Sequence, residues 1–200
     1  VAVDVTLKAD ITVVCGSSGS GKSAWVKKQI KVKPRVIVWD VDEEYTNEKG
    51  FEAVTSKRDL LRLVKSRKKG RFAYVPKNLG EFDFWCKVAF AWGNCTAIAE
   101  ETADVTTPAK APEGWGVLVR RGRKRGISII GVSQRPAESD KTIIGNASLI
   151  HCGMLKRPQD RKYMALEMDV DKSVLDSLKP LEWVEIKAGV QGHKKGKLRF

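Results

Sequence analysis

Apolar residues along this chain fall into short runs separated by glycine-rich, proline-containing or strongly charged stretches. The runs at 11–15 (Ile-Thr-Val-Val-Cys), 35–40 (Arg-Val-Ile-Val-Trp-Asp), 72–75, 96–101 (Thr-Ala-Ile-Ala-Glu-Glu), 127–132 and 148–152 read as buried strands. Residues 3–7 alternate and predict a leading edge strand, while 182–187 and 197–200 predict a closing antiparallel pair. Helical spacing is clear at 57–68, with Leu60, Leu61 and Val64, and at 81–92, with Phe82, Trp85, Val88, Ala89 and Trp92. Further helices are expected at 24–30, about 114–124, 158–167 and 172–178, and a loop at 106–113 around Pro108 and Pro112. Strands and helices alternate, so the chain is α/β. The aromatics of 81–92 read as core rather than as a base-stacking platform.

The stretch between the strand at 11–15 and the helix at 24–30 changes the picture from fold to chemistry. Gly16-Ser17-Ser18-Gly19-Ser20-Gly21-Lys22-Ser23 matches the phosphate-binding loop G-x-x-x-x-G-K-[ST] at every fixed position. Glycines let successive backbone N–H groups turn inward onto phosphate oxygens. Lys22 can reach the β- and γ-phosphates of ATP, and the Ser23 hydroxyl can ligate Mg²⁺. A helix N-terminus behind such a loop favours an anion. This sequence is that of a nucleoside-triphosphate-binding protein.

Composition sets bounds on the rest. The chain has 200 residues, within the range of a single domain spanning 1–200, and its 42% hydrophobic content argues against wholesale disorder. A net charge of +13, from 37 Lys and Arg against 24 Asp and Glu, points to a polyanionic partner, either nucleic acid or an anionic membrane surface. Cys15, Cys86, Cys95 and Cys152 form no C-x-x-C pair, so neither a zinc set nor a disulfide framework is expected, and a reduced compartment fits. No apolar run approaches the ~20 residues that span a bilayer, and no signal peptide is apparent.

Further candidates sit at the carboxyl ends of predicted strands, where ligands gather in open α/β sheets. Asp40 ends one strand, either near the site or as a turn residue. Glu100 and Glu101 end another. In phosphate-loop hydrolases the first carboxylate holds Mg²⁺ and the second can take a proton from the attacking water; the alternative is a solvated acidic turn. Gln134 follows the strand at 127–132 and can orient water against the γ-phosphate, or be a generic strand-end polar residue. The basic run Arg120-Arg121-Gly122-Arg123-Lys124-Arg125 is open between a solvated helix end, a DNA contact and the source of an arginine finger.

The phosphate loop, the Glu100-Glu101 strand, and Arg123-x-x-Gly126-Ile127 leading to Ser133-Gln134-Arg135-Pro136 resemble the FtsK–HerA superfamily of DNA-pumping ATPases. Trp39-Asp40 with Glu44-Tyr45 is similar to that family's second-strand motif. The resemblance covers about residues 10–187. With no membrane anchor or large accessory segment, the chain looks most like the genome-packaging ATPases of tailless, membrane-containing icosahedral viruses. That likeness implies a three-layer P-loop sandwich with a mostly parallel sheet, in which the Gln134 strand lies between the phosphate-loop strand and the Glu100 strand. It also implies a ring, as a hexamer, that threads double-stranded DNA into a capsid, with capsid-vertex or viral membrane proteins as further partners. Its setting would be the host cytoplasm or the virion. The implied roles are Lys22 and the loop amides on phosphate, Ser23 and Glu100 on Mg²⁺, Glu101 as base, and Gln134 as γ-phosphate sensor. Arg123 would be the finger acting on a neighbouring subunit, with Arg121 and Arg125 in reserve. Glu100 stands where Asp is usual. A small-molecule nucleotide kinase, or a nucleotide-gated docking protein without turnover, would share the phosphate loop; DNA-stimulated hydrolysis separates them.

Overall fold

The protein is described here by a computed structural model covering residues 9–199. The strand expected at 3–7 lies outside the described residues, as does Phe200.

Strand β1 (Ile11–Cys15) feeds the phosphate loop and helix α1 (Lys22–Gln29). Next come β2 (Arg35–Trp39), the short β3 (Glu52–Val54), α2 (Lys57–Ser66) and β4 (Gly70–Tyr74). Helix α3 (Phe82–Trp92) precedes β5 (Thr96–Ala99), α4 (Thr102–Val105) and α5 (Glu113–Arg121), which tightens into a 3-10 turn at Gly122–Arg125. The chain continues through β6 (Ser128–Ser133), α6 (Lys141–Gly145), β7 (Leu149–Gly153), α7 (Pro158–Glu167) and α8 (Lys172–Asp176). It closes with β8 (Glu182–Lys187) and β9 (Lys194–Lys197).

The nine strands among the described residues join one sheet in the order β3-β4-β2-β5-β6-β1-β7-β8-β9. Pairing is parallel from β3 to β7, and β8 and β9 add an antiparallel pair. β6 therefore lies between β1 and β5, as the resemblance implied. Alternate residues of each strand feed opposite cores. Val13, Cys15, Ile37, Trp39, Ala97 and Ile129 face α2, α3, α5 and α7 through Leu60, Trp85, Trp115 and Met164. Val14, Val36, Val38, Ile98, Ile130 and Val132 face α1 and the loop after β2, through Trp25, Val26 and Tyr45. These are the three layers. Phe82 packs edge-on to Trp39 at 5.1 Å and stacks on Trp85 at 5.7 Å, so the α3 aromatics are core, as expected.

Two guanidinium groups close the carboxyl end of α3. Arg125 donates through Nε to the Phe90 carbonyl at 2.7 Å and through Nη2 to that of Ala91 at 3.1 Å. Arg35 donates to the carbonyls of Trp92, Gly93 and Asn94, and stacks over the Trp92 ring. Unpaired carbonyls at a helix end attract cations, so these arginines have structural work. Among the described residues the sheet edges are a strand of three residues at one side and the lysine-rich β9 at the other.

Some boundaries differ from the sequence pattern. β5 stops at Ala99 because Glu101 takes a left-handed backbone, φ 46° and ψ 57°, from which α4 starts. β9 pairs Lys194–Lys197 against β8, with Lys197 opposite Glu182, rather than extending over 197–200. The short β3, α4 and α6 carry too few residues to show a period.

Candidate active site

The parallel register brings the carboxyl ends of β1, β2, β5, β6 and β7 to one edge. Cys15 is level with Ser133 on one side and Cys152 on the other, and Ala99 is level with both Trp39 and Gly131. The residues that follow, Gly16, Asp40, Glu100, Gln134 and Met154, therefore emerge together. Of the expected site residues only Arg123 is elsewhere.

Residues 16–23 form a compact loop. Gly19 and Gly21 have φ of 77° and 92°, open to glycine at little strain. A Cβ on Gly16 would lie 2.4 Å from Ser20 Oγ. The loop is anchored from β6, where the Ser133 carbonyl accepts from Gly16 N–H at 3.3 Å. The segment after β7 anchors it too: Ser17 N–H donates to the Met154 carbonyl at 2.8 Å, and Lys156 N–H donates to Ser17 Oγ at 2.8 Å. Ser18 and Gly19 are exposed at the loop tip. Lys22 is buried in the first turn of α1 and its ammonium reaches the Ser17 carbonyl at 3.5 Å. Ser20 Oγ is buried with no partner among the described residues. A cradle closed to any Cβ at Gly16, with a buried lysine and an unpaired hydroxyl, fits a phosphate chain.

The two carboxylates divide. Glu100 is almost fully buried; its N–H donates to the Trp39 carbonyl, and its Oε1 accepts from the Tyr45 hydroxyl at 2.7 Å. Burial pushes the Glu100 carboxyl up to about 8, while the Tyr45 hydroxyl and the Lys22 charge pull it back toward the ionised form. Burial and the neighbouring Glu100 hold the Tyr45 phenol well above its ordinary value, so it remains a donor. Glu101 is half-buried and clasped by Gln134: its Oε1 accepts from Gln134 Nε2 at 2.8 Å and its Oε2 from Gln134 N–H at 3.3 Å. A left-handed backbone at a non-glycine residue costs on the order of 1–3 kcal/mol. Here that conformation turns Glu101 toward β6.

The metal question can be put to the donors alone. No cluster of three or more His, Cys, Asp or Glu suited to a metal occurs among the described residues. Mg²⁺ keeps most of its water and needs only one or two protein oxygens alongside phosphate. The Ser23 hydroxyl on α1 and the Glu100 carboxylate are hard oxygen donors of that kind, and they fit.

Arg123 lies in the turn before β6, at the opposite edge of the sheet. Six residues of strand at about 3.3 Å each place it roughly 20 Å from its own Gln134. It is exposed, as is Arg121. Arg125 is half-buried and donates to the carbonyls at the end of α3. The sequence pattern missed the loop after β7 and the hydroxyl of Tyr45. Lys156 gave no sequence signal. Tyr45 stood in a motif, but its partner is 55 positions away.

No protein-family profile matches this chain. A sequence relative does: protein P9 of Pseudoalteromonas phage PM2 is 34% identical over 209 residues, covering 98% of this chain and 94% of that protein. This chain belongs to the family of protein P9. Among solved structures, the P9-family fold matches the genome-packaging NTPase B204 of Sulfolobus turreted icosahedral virus 2, in complex with AMPPCP. The TM-score is 0.78 at 19% identity, over 96% of this chain and 98% of that one. VirB4 of Thermoanaerobacter pseudethanolicus matches with a TM-score of 0.68 at 12% identity, over 99% and 93%. The fold is that of viral packaging and VirB4-type ATPases, as the sequence resemblance implied.

Proposed function

We propose that this protein is a Mg²⁺-dependent ATPase that moves double-stranded DNA, packaging a viral genome into a preformed capsid. The observation that carries the reading is the Glu101–Gln134 pair held beside a complete phosphate loop, because a protein that only binds nucleotide needs no oriented carboxylate there. The phosphate-loop amides and Lys22 bind the β- and γ-phosphates of ATP. Ser23 and Glu100 hold Mg²⁺, which when bound neutralises charge on the β- and γ-oxygens. Glu101 accepts the proton of the attacking water, and Gln134 fixes the carboxylate for that task and senses the γ-phosphate. The packaging NTPase B204, solved with AMPPCP and with ATP-γ-S, supports the choice of nucleotide.

Residues 1–200 act as one ATPase unit in a ring, with six copies as the expected number, and Arg123 serves the next copy's site. The distance of Arg123 from its own Gln134 supports that assignment. Capsid-vertex or viral membrane proteins are the docking partners. No described helix is long and apolar enough to cross a membrane.

The test measures phosphate release with and without double-stranded DNA. Stimulation by DNA is expected. In Glu101→Gln, ATP binding should stay near normal while turnover falls roughly a hundredfold or more. Wild-type turnover in Glu101→Gln, or stimulation by a nucleoside monophosphate instead of DNA, would overturn the reading.

A further inference from the structure

Tyr45 lies outside the phosphate loop and the strand ends from which the site is built, yet it is fully buried against Glu100. The loop after β2 is folded back on its own strand to put it there. Asp40, itself fully buried, accepts the N–H of Glu44 on Oδ1 and that of Tyr45 on Oδ2, both at 2.9 Å. The Tyr45 carbonyl accepts from Glu48 N–H at 3.1 Å, and its ring packs on Phe51 at 5.4 Å. Lys27, paired with Glu48 at 2.9 Å, places its ammonium over the ring, 5.4 Å from its centre. Every part of this tyrosine is held, and its one proton is directed at Glu100 Oε1.

We infer that Tyr45 is a positioning residue for the metal-holding carboxylate: it occupies one oxygen of Glu100 and leaves the other for the cation and its water. The inference rests on Glu100 being the metal group. Side-chain length makes the pair specific. Aspartate at position 100 would end one C–C bond, about 1.5 Å, short of its present reach, and a contact of 2.7 Å would open beyond hydrogen-bond range. Tyr45 and Glu100 are therefore matched in size, with Asp40 setting the loop that brings them together. Partners of this kind, one shell out from a metal, typically alter metal affinity 10–100-fold.

Mn²⁺ binding in the presence of ADP, read by electron paramagnetic resonance, tests this without relying on turnover. Nucleotide affinity in EDTA is measured in parallel with a fluorescent ADP analogue. In Tyr45→Phe, which keeps the packed ring, Mn²⁺ affinity should fall about tenfold while metal-free nucleotide affinity stays within about twofold. Glu100→Asp should weaken Mn²⁺ similarly. In the double variant, Tyr45→Phe should add nothing, because aspartate no longer reaches the hydroxyl. Wild-type Mn²⁺ affinity in Tyr45→Phe, or effects that multiply independently in the double variant, would overturn the inference. Glu100→Gln separates the two levels: unchanged Mn²⁺ binding in that variant would sink the assignment of Glu100 itself, whatever Tyr45→Phe does. Equal losses of metal-free and Mn²⁺-supported nucleotide binding in Tyr45→Phe would show a general packing role and would likewise overturn it.

Discussion

Replacing single arginines in the run 120–125 should split it into parts with different functions. Arg125→Ala removes a part-buried Nε–H bond to Phe90, a more exposed Nη2–H bond to Ala91, and a guanidinium 5.0 Å from the Phe90 ring centre. Charge-assisted hydrogen bonds are each worth about 1.5–3 kcal/mol when sheltered. The exposed bond and the ring contact are discounted to about 0.5 kcal/mol each. The expected loss is then about 2.5–4 kcal/mol. For a chain of this size 1 kcal/mol moves the midpoint by about 2–4 °C, so Arg125→Ala should melt roughly 5–15 °C lower. Arg125→Lys keeps the charge but not the planar fork, and should recover less than half of the loss. Arg123→Ala, exposed on the same turn, should melt within about 1 °C of the wild type. Differential scanning calorimetry of the three variants decides the matter. If Arg125→Ala melts with the wild type, or Arg123→Ala melts as low as Arg125→Ala, the division drawn from the geometry is wrong.

Mixing inactive Arg123→Ala with inactive Glu101→Gln should restore hydrolysis, since some interfaces in a mixed ring then have both groups; no recovery in rings shown to have exchanged subunits would remove Arg123 from the trans role. DNA affinity should fall with a slope of about −0.9 in log K against log salt for each phosphate contacted, with little sequence preference; a flat salt dependence in a filter-binding or anisotropy titration would point to another partner. Glu81 accepts from the Tyr74 hydroxyl at 2.6 Å and from Lys77 N–H at 3.2 Å, with Lys57 at 3.4 Å, and the Tyr74 hydroxyl leads in holding its carboxyl below the ordinary 4.5. Its stabilisation is present above that value and is lost as pH falls through the depressed folded value, so the urea-measured gap between wild type and Glu81→Gln should be full at pH 7 and narrow progressively as pH falls below 4.5; a gap that does not narrow on acidification would refute it.

The phosphate loop was legible because its glycines and Lys22 fall within eight consecutive residues, and β8 because Trp183, Val184 and Ile186 stand among charged residues. Gln134 and Glu101 could each be nominated from a strand end, but their mutual hydrogen bond depends on the left-handed turn at Glu101, which no local pattern announces. β9 was sought where Leu198 and Phe200 supply apolar weight. It formed instead where the register of β8 sets the lysines of β9 opposite Glu182 and Glu185. Arg123 and Arg125 look alike in a basic run; only the carbonyls at the end of α3, folded 34 and 35 positions away, tell them apart.

The two borders of the sheet bear on how copies can meet. β9 presents Lys194, Lys195 and Lys197 along its rim, all exposed. A second copy adding its own β9 there would bring like charges face to face, and lysine-rich rims are a common guard against such zippering. At the far border β3 offers three residues, and its Glu52 is already tied to Arg67. Among the described residues, therefore, neither rim invites another strand. Copies of this chain that associate are left to do so through loops and side chains, contacts that can be made and broken at each step of a cycle, rather than through a continuous hydrogen-bonded sheet that would lock them together.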